Sequence, residues 1–158
     1  MQHTIGISEM RVSNIIDDVL VTYSLGSCIG LTLYDPVVRV GGMIHCMLPL
    51  SKTDESKAAQ TPCMFVDTGV PALIQAVFDM GAQRKNLIAK VAGGANILDE
   101  QGMFKIGERN HTVLRKILWK NDILISGEEV GGTLARTMYL HMTDGRTVIK
   151  SGGAEHDL

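Results

Sequence analysis

At 158 residues the chain is the size of one domain, and with 45% hydrophobic but only 4% aromatic content its core volume falls to Val, Ile, Leu, Ala and the nine Met. Fifteen basic against seventeen acidic residues give a net charge of −2 with no basic run, which argues against nucleic acid as a partner. No apolar stretch nears the roughly 20 residues that span a bilayer, and Met1-Gln2-His3-Thr4-Ile5 lacks a signal-peptide pattern, so the three cysteines read as reduced thiols in the cytoplasm.

In chain order, residues 5–8 read as a short, weak strand and residues 19–24 as a β-branched one that stops at Gly26-Ser27. Residues 28–34 follow, with Ile29, Leu31 and Leu33 alternating with Gly30 and Thr32 up to the turn Asp35-Pro36. Residues 42–48 form the next strand, halted by Pro49. Its alternation sends Met43, His45 and Met47 to one face and Ile44, Cys46 and Leu48 to the other. Both faces are largely apolar, so this strand expects cover on both sides, as in a layered domain.

Residues 50–62 are the longest polar run and read as a loop. Phe65, Gly69, Ala72, Leu73, Ala76, Val77 and Met80 then recur at helical spacing, and Gly81 ends the helix. Pro71 either kinks it or lies in the first turn of a helix that starts near Thr68. Residues 87–91 read as a buried strand broken at Gly93-Gly94, after which a glycine-spotted loop runs to Gly107. Asn110 reads as the N-cap of a second helix with Val113, Leu114, Ile117 and Leu118 on its inner face. Residues 123–126 are a strand, Gly131-Gly132 a break, and residues 136–143 and 147–150 a hairpin closed by Asp144-Gly145. The small, polar tail, 151–158, reads as frayed. The sum is one domain over residues 1–158, with its core at about 4–150: an α/β sandwich of mixed sheet with two main helices.

Two residues carry the chemistry. Cys28 follows a Gly-Ser turn at a strand end, where a side chain is presented at the mouth of a site and the peptide N–H groups of Gly26, Ser27 and Cys28 could meet an oxyanion. His45 sits on a neighbouring strand as a candidate base, and an imidazolium–thiolate pair would lower the thiol pKa. Thr22, six residues before Cys28, offers a hydroxyl that accepts from the far ring nitrogen at a wet cleft. The plainer alternatives are an inert packing cysteine, a core histidine bonded to one carbonyl, and a β-branched strand residue. Cys46 and Cys63 read as packing and loop cysteines, and no Cys-x-x-Cys or His-x-x-x-His pair supports zinc. The run Val91-Ala92-Gly93-Gly94-Ala95-Asn96 lacks the Lys-Ser/Thr ending of a phosphate loop. Arg109 and Arg136 read as surface or ion-pair residues.

Thr22, Leu25-Gly26-Ser27-Cys28, Tyr34-Asp35-Pro36, Gly41-Gly42-Met43-Ile44-His45 and Met47-Leu48-Pro49 resemble, in order, the first blocks of the CheD family of chemoreceptor glutamine deamidases. Gly93-Gly94-Ala95, Ile106-Gly107-Glu108-Arg109-Asn110 and Gly131-Gly132 with Arg136 resemble its later ones, over roughly residues 4–150. The resemblance implies an α/β/β sandwich similar to bacterial toxin deamidases. It implies hydrolysis of selected glutamine side chains on methyl-accepting chemoreceptors to glutamate, with release of ammonia. It further implies Cys28 as nucleophile, His45 as general base and acid, Thr22 as the group that orients His45, and no metal or organic cofactor. A CheC-type phosphatase is the second partner it suggests. The rival functions are a binding module for that phosphatase and a thiol hydrolase of receptor glutamyl methyl esters.

Overall fold

The strand with two apolar faces finds cover on both. The computed structural model describes residues 1–96 and 105–158, in which two five-stranded sheets stack beneath a layer of helices. The strands are β1 (Gln2–Thr4), β2 (Glu9–Ser13), β3 (Val19–Leu25), β4 (Ile29–Asp35), β5 (Val40–Cys46), β6 (Ile88–Gly93), β7 (Ile125–Val130), β8 (Arg136–His141), β9 (Arg146–Ser151) and β10 (Ala154–Asp157). The helices are α1 (Glu55–Gln60), α2 (Val66–Asp79) and α3 (Ile106–Lys120). The middle sheet runs β2-β5-β4-β6-β7 and the outer sheet β1-β3-β8-β9-β10. Both are mixed, since β1 pairs parallel to β3 and β6 parallel to β7, while the other pairs are antiparallel.

Every residue of β4 and β5 is buried. Ile29, Leu31, Leu33, Ile44 and Cys46 face α2 and α3, where they meet Val66, Val70, Leu73, Ile74, Val77, Leu114 and Leu118. Met43 and Tyr34 face the other way, into a second cluster with Leu20, Leu25, Met138, Leu140 and Ile149 of the outer sheet. The period-2 alternation of β4 and β5 thus builds two cores, one on each side of the same strands.

Several elements differ from their expected bounds. The N-terminal strand is β1 at Gln2–Thr4, followed by an unexpected β2, with Ser8 in the left-handed region at φ 65° between them. The polar run 50–62 holds a 3₁₀ turn at Ser51–Thr53 and α1, whose first turn is capped by the Asp54 side chain accepting from Lys57 N–H at 3.0 Å. Helix α2 begins at Val66 and continues through Pro71. Helix α3 begins at Ile106, four residues before the expected cap, so Asn110 lies inside it. Val113, Leu114, Ile117 and Leu118 do form its inner face. The hairpin of β8 and β9 pairs His141 with Arg146, so its connection is longer than two residues, and Gly145 takes φ 78°. The tail expected to fray is instead β10, paired antiparallel with β9. Most of the glycine-spotted loop, residues 97–104, lies outside the described residues.

Candidate active site

The outer and middle sheets bring three segments together that are far apart in sequence. The parallel pairing of β1 with β3 continues one step past β1, as Ile5 N–H donates to Val21 O at 2.7 Å. This sets the Ile5 carbonyl beside Thr22, whose hydroxyl donates to it at 2.7 Å. The same hydroxyl oxygen lies 2.7 Å from His45 Nδ1. A hydroxyl has one proton, and a carbonyl can only accept, so that proton belongs to Ile5. His45 Nδ1 must then be the donor to Thr22. The tautomer follows: Nδ1 carries the hydrogen, and Nε2 keeps its lone pair.

Nε2 is buried and has no hydrogen-bond partner among the described residues. His45 is 1% exposed, and burial holds its pKa down, to about 4. Register places Gly30 directly across from His45, so Cys28, two residues earlier, falls on the same face of the sheet. Cys28 is half-buried at the rim of the inter-sheet core, while Cys46 lies on the helix side, fully buried. His45 and Cys46 therefore do face opposite ways. Cys63 sits in the 3₁₀ turn Pro62–Met64 and packs against the helix-side core.

Burial also pushes the Cys28 thiol up from its ordinary value, with its own N–H pulling weakly the other way. Both shifts run against the expected imidazolium–thiolate pair. Desolvation disfavours the charged form of both partners, so a neutral thiol sits on the same face as a neutral imidazole.

The turn that carries Cys28 is held from three sides. Ala95 N–H donates to Gly26 O and Gly94 N–H to Cys28 O, each at 2.8 Å, so the Gly93-Gly94-Ala95 run docks on the turn as backbone. Gly93 has to be glycine: at φ +106° a Cβ would lie 2.4 Å from the Cys28 carbonyl oxygen. The third contact is Asn110, whose Nδ2 donates to Ser27 O at 2.9 Å and to Met47 O at 3.1 Å. Among the described residues, the N–H groups of Gly26 and Ser27 have no backbone or side-chain acceptor, and that of Cys28 meets the cysteine's own sulfur. Arg136 is largely buried, donating to Glu129 at 2.8 Å and to Gly93 O at 3.2 Å, as an ion-pair residue behind the same run. Among the described residues no three His, Cys, Asp or Glu side chains converge as metal ligands would.

Cys28, His45 and Thr22 thus gather in one region, and two participants were missed. The Ile5 carbonyl left no mark in the sequence, because its role depends on a long-range strand pairing. Asn110 was visible as a residue but was read as a helix cap.

A family profile described as CheD chemotactic sensory transduction matches residues 47–151. A protein of Syntrophus aciditrophicus, named a probable chemoreceptor glutamine deamidase CheD 1, is 51% identical over 149 residues, covering 94% of this chain and 93% of the relative. Its namesake from Solibacter usitatus is 48% identical over 157 residues, covering 99% of this chain and 93% of the relative. One from Symbiobacterium thermophilum is 44% identical over 158 residues, covering 98% and 95% respectively.

Proposed function

The chain belongs to the CheD family, and we propose that Cys28, His45 and Thr22 carry out the family's reaction by way of a thioester. The chain is a chemoreceptor glutamine deamidase of chemotaxis, a hydrolase that converts glutamine side chains to glutamate. The observation that supports the thiol mechanism best is the relay Ile5 O–Thr22–His45, which ends in an unpartnered, buried Nε2 on the face that carries Cys28.

As the Cys28 sulfur attacks the carboxamide carbon, its proton passes to Nε2. The oxyanion meets the N–H groups of Ser27 and Cys28, the latter turning from the sulfur to the substrate oxygen. A buried histidine with a pKa of about 4 resists staying charged, so the imidazolium returns its proton to the departing nitrogen and the C–N bond breaks with release of ammonia. Water then enters, gives a proton to Nε2 and adds to the thioester; as the S–C bond breaks, Nε2 returns that proton to the departing sulfur, which frees the glutamate side chain and regenerates the thiol and the neutral imidazole. Throughout, Thr22 holds the ring in the one tautomer that can do this.

The likeness to the family extends the reading to action in the cytoplasm and to a CheC-type phosphatase as partner. None of the described helices is long and apolar enough to cross a membrane, which agrees with a substrate reached from solution. The test of the thiol assignment is mass analysis of purified receptor fragments after incubation. Cys28→Ala should leave every glutamine unconverted, while Cys46→Ala and Cys63→Ala should convert them. A silent but folded Cys63→Ala beside an active Cys28→Ala would move the nucleophile. Conversion of glutamyl methyl esters but not of glutamines would redirect the substrate.

A further inference from the structure

The three carbonyls of the nucleophile turn are all engaged, but not in the same way. Gly26 O and Cys28 O are held by backbone N–H groups of the loop after β6, whereas Ser27 O, between them, is held among the described residues by the Asn110 side chain alone. In a trans peptide the carbonyl and the next N–H point in opposite directions, and there is no cis peptide bond among the described residues. Whatever fixes Ser27 O therefore fixes where the Cys28 N–H points. Asn110 reaches Ser27 from α3, on the helix side of the middle sheet, so the Cys28 N–H is turned away from α3 and lies against the cysteine's own sulfur.

The second hydrogen of the same amide goes to Met47 O, two residues beyond His45. One side chain thus ties the turn before the nucleophile to the strand end after the base. Asn110 is fully buried, and its Oδ1 has no partner among the described residues. A buried, unsatisfied acceptor costs stability. The same inner face carries Leu114 and Leu118, which show what packing alone would select.

We infer that Asn110 is a positioning residue for the oxyanion hole: by holding the Ser27 carbonyl it aims the Cys28 N–H at the oxygen of the tetrahedral intermediate. The inference rests on Cys28 being the nucleophile. It adds a separate claim, that catalysis depends on the orientation of a peptide and not only on the reactivity of the thiol.

The test separates those two. Asn110→Ala removes the contact, and Asn110→Asp keeps the shape but sets an acceptor against two carbonyls. In both, kcat for receptor-glutamine deamidation should fall by up to about 10²- to 10³-fold with KM little changed, the range associated with losing one oxyanion donor. Alkylation of Cys28 by iodoacetamide, which develops no oxyanion, should stay within about threefold of wild type. Wild-type kcat in a folded variant overturns the inference, and so does alkylation that slows in step with kcat. Should neither variant fold, the wild type decides: on binding a receptor-peptide aldehyde, the Cys28 amide proton should shift downfield and become protected from exchange. An unmoved signal overturns the inference. Cys28→Ala, assayed alongside, keeps the two claims apart, since its activity would sink the nucleophile itself.

Discussion

Replacing Thr22 by valine keeps the volume and the β-branched shape but deletes the hydroxyl on which the His45 tautomer depends. At the level of sequence Thr22 reads as a residue of a wet cleft, where its loss would cost little stability. In the fold it is 0% exposed, with bonds of 2.7 Å on both sides. Valine leaves two buried groups without partners, the Ile5 carbonyl and the His45 Nδ1–H. At about 1–3 kcal/mol for each unsatisfied group, the variant should lose roughly 2–6 kcal/mol. With about 2–4 °C per kcal/mol for a domain of this size, its melting temperature should fall by roughly 4–24 °C. Set against a typical stability of about 5–15 kcal/mol, the rate is normalised to the folded fraction that urea unfolding reports. There the ring is free to place its hydrogen on Nε2, facing the thiol it should deprotonate, and kcat should fall by about 10²–10⁴-fold. The assay is ammonia release from a receptor fragment, set beside urea unfolding. Thr22→Ser, which keeps both hydrogen bonds, should recover most of the rate. Thr22→Val with wild-type kcat, or with loss of stability alone, would refute the relay.

Three other outcomes are expected. Because burial holds His45 at about 4 against an ordinary value of 6.5, the unfolded chain binds more protons between those values; stability is therefore complete above pH 6.5 and lost as pH falls towards 4, by about 3 kcal/mol in all. Urea titrations of wild type and His45→Gln should diverge across that window, and superimposable curves would contradict the assignment. The iodoacetamide reaction of Cys28 should show a midpoint above the ordinary thiol value in the free protein, in wild type and in His45→Ala alike, and a midpoint well below it would restore the resting ion pair. Gly93→Ala should cost more than about 2 kcal/mol through the strained left-handed backbone and should slow deamidation by pushing on the Cys28 carbonyl, whereas a variant with wild-type melting temperature and rate would remove the loop from the site.

The central strands were legible because burial wrote their pattern twice. In β4 and β5 the residues facing the helices and those facing the outer sheet alternate strictly, and the same alternation correctly separates His45 from Cys46. The edge strands left no such trace. In β2 the exposed Glu9 and Arg11 break up the apolar signal, and β10 is exposed throughout, so both are specified by backbone pairing with a neighbour. Asn110 was misread for a related reason. The start of α3 has no side-chain cap; Gly107 instead packs so closely on the Gly94–Ala95 backbone that a Cβ would lie 2.4 Å from the Gly94 oxygen. A helix beginning at tertiary contact shifts its cap upstream, and the asparagine within is free to serve the turn.

The central claim is that Cys28 forms a thioester with the glutamine side chain. Its most direct test is rapid acid quenching of the enzyme with a receptor fragment bearing one competent glutamine, followed by peptide mapping. The account predicts an adduct on Cys28 equal in mass to the fragment less ammonia, cleaved by hydroxylamine and absent from Cys28→Ala. An adduct on a different residue, or Cys28→Ala converting the glutamine at the wild-type rate, would contradict it.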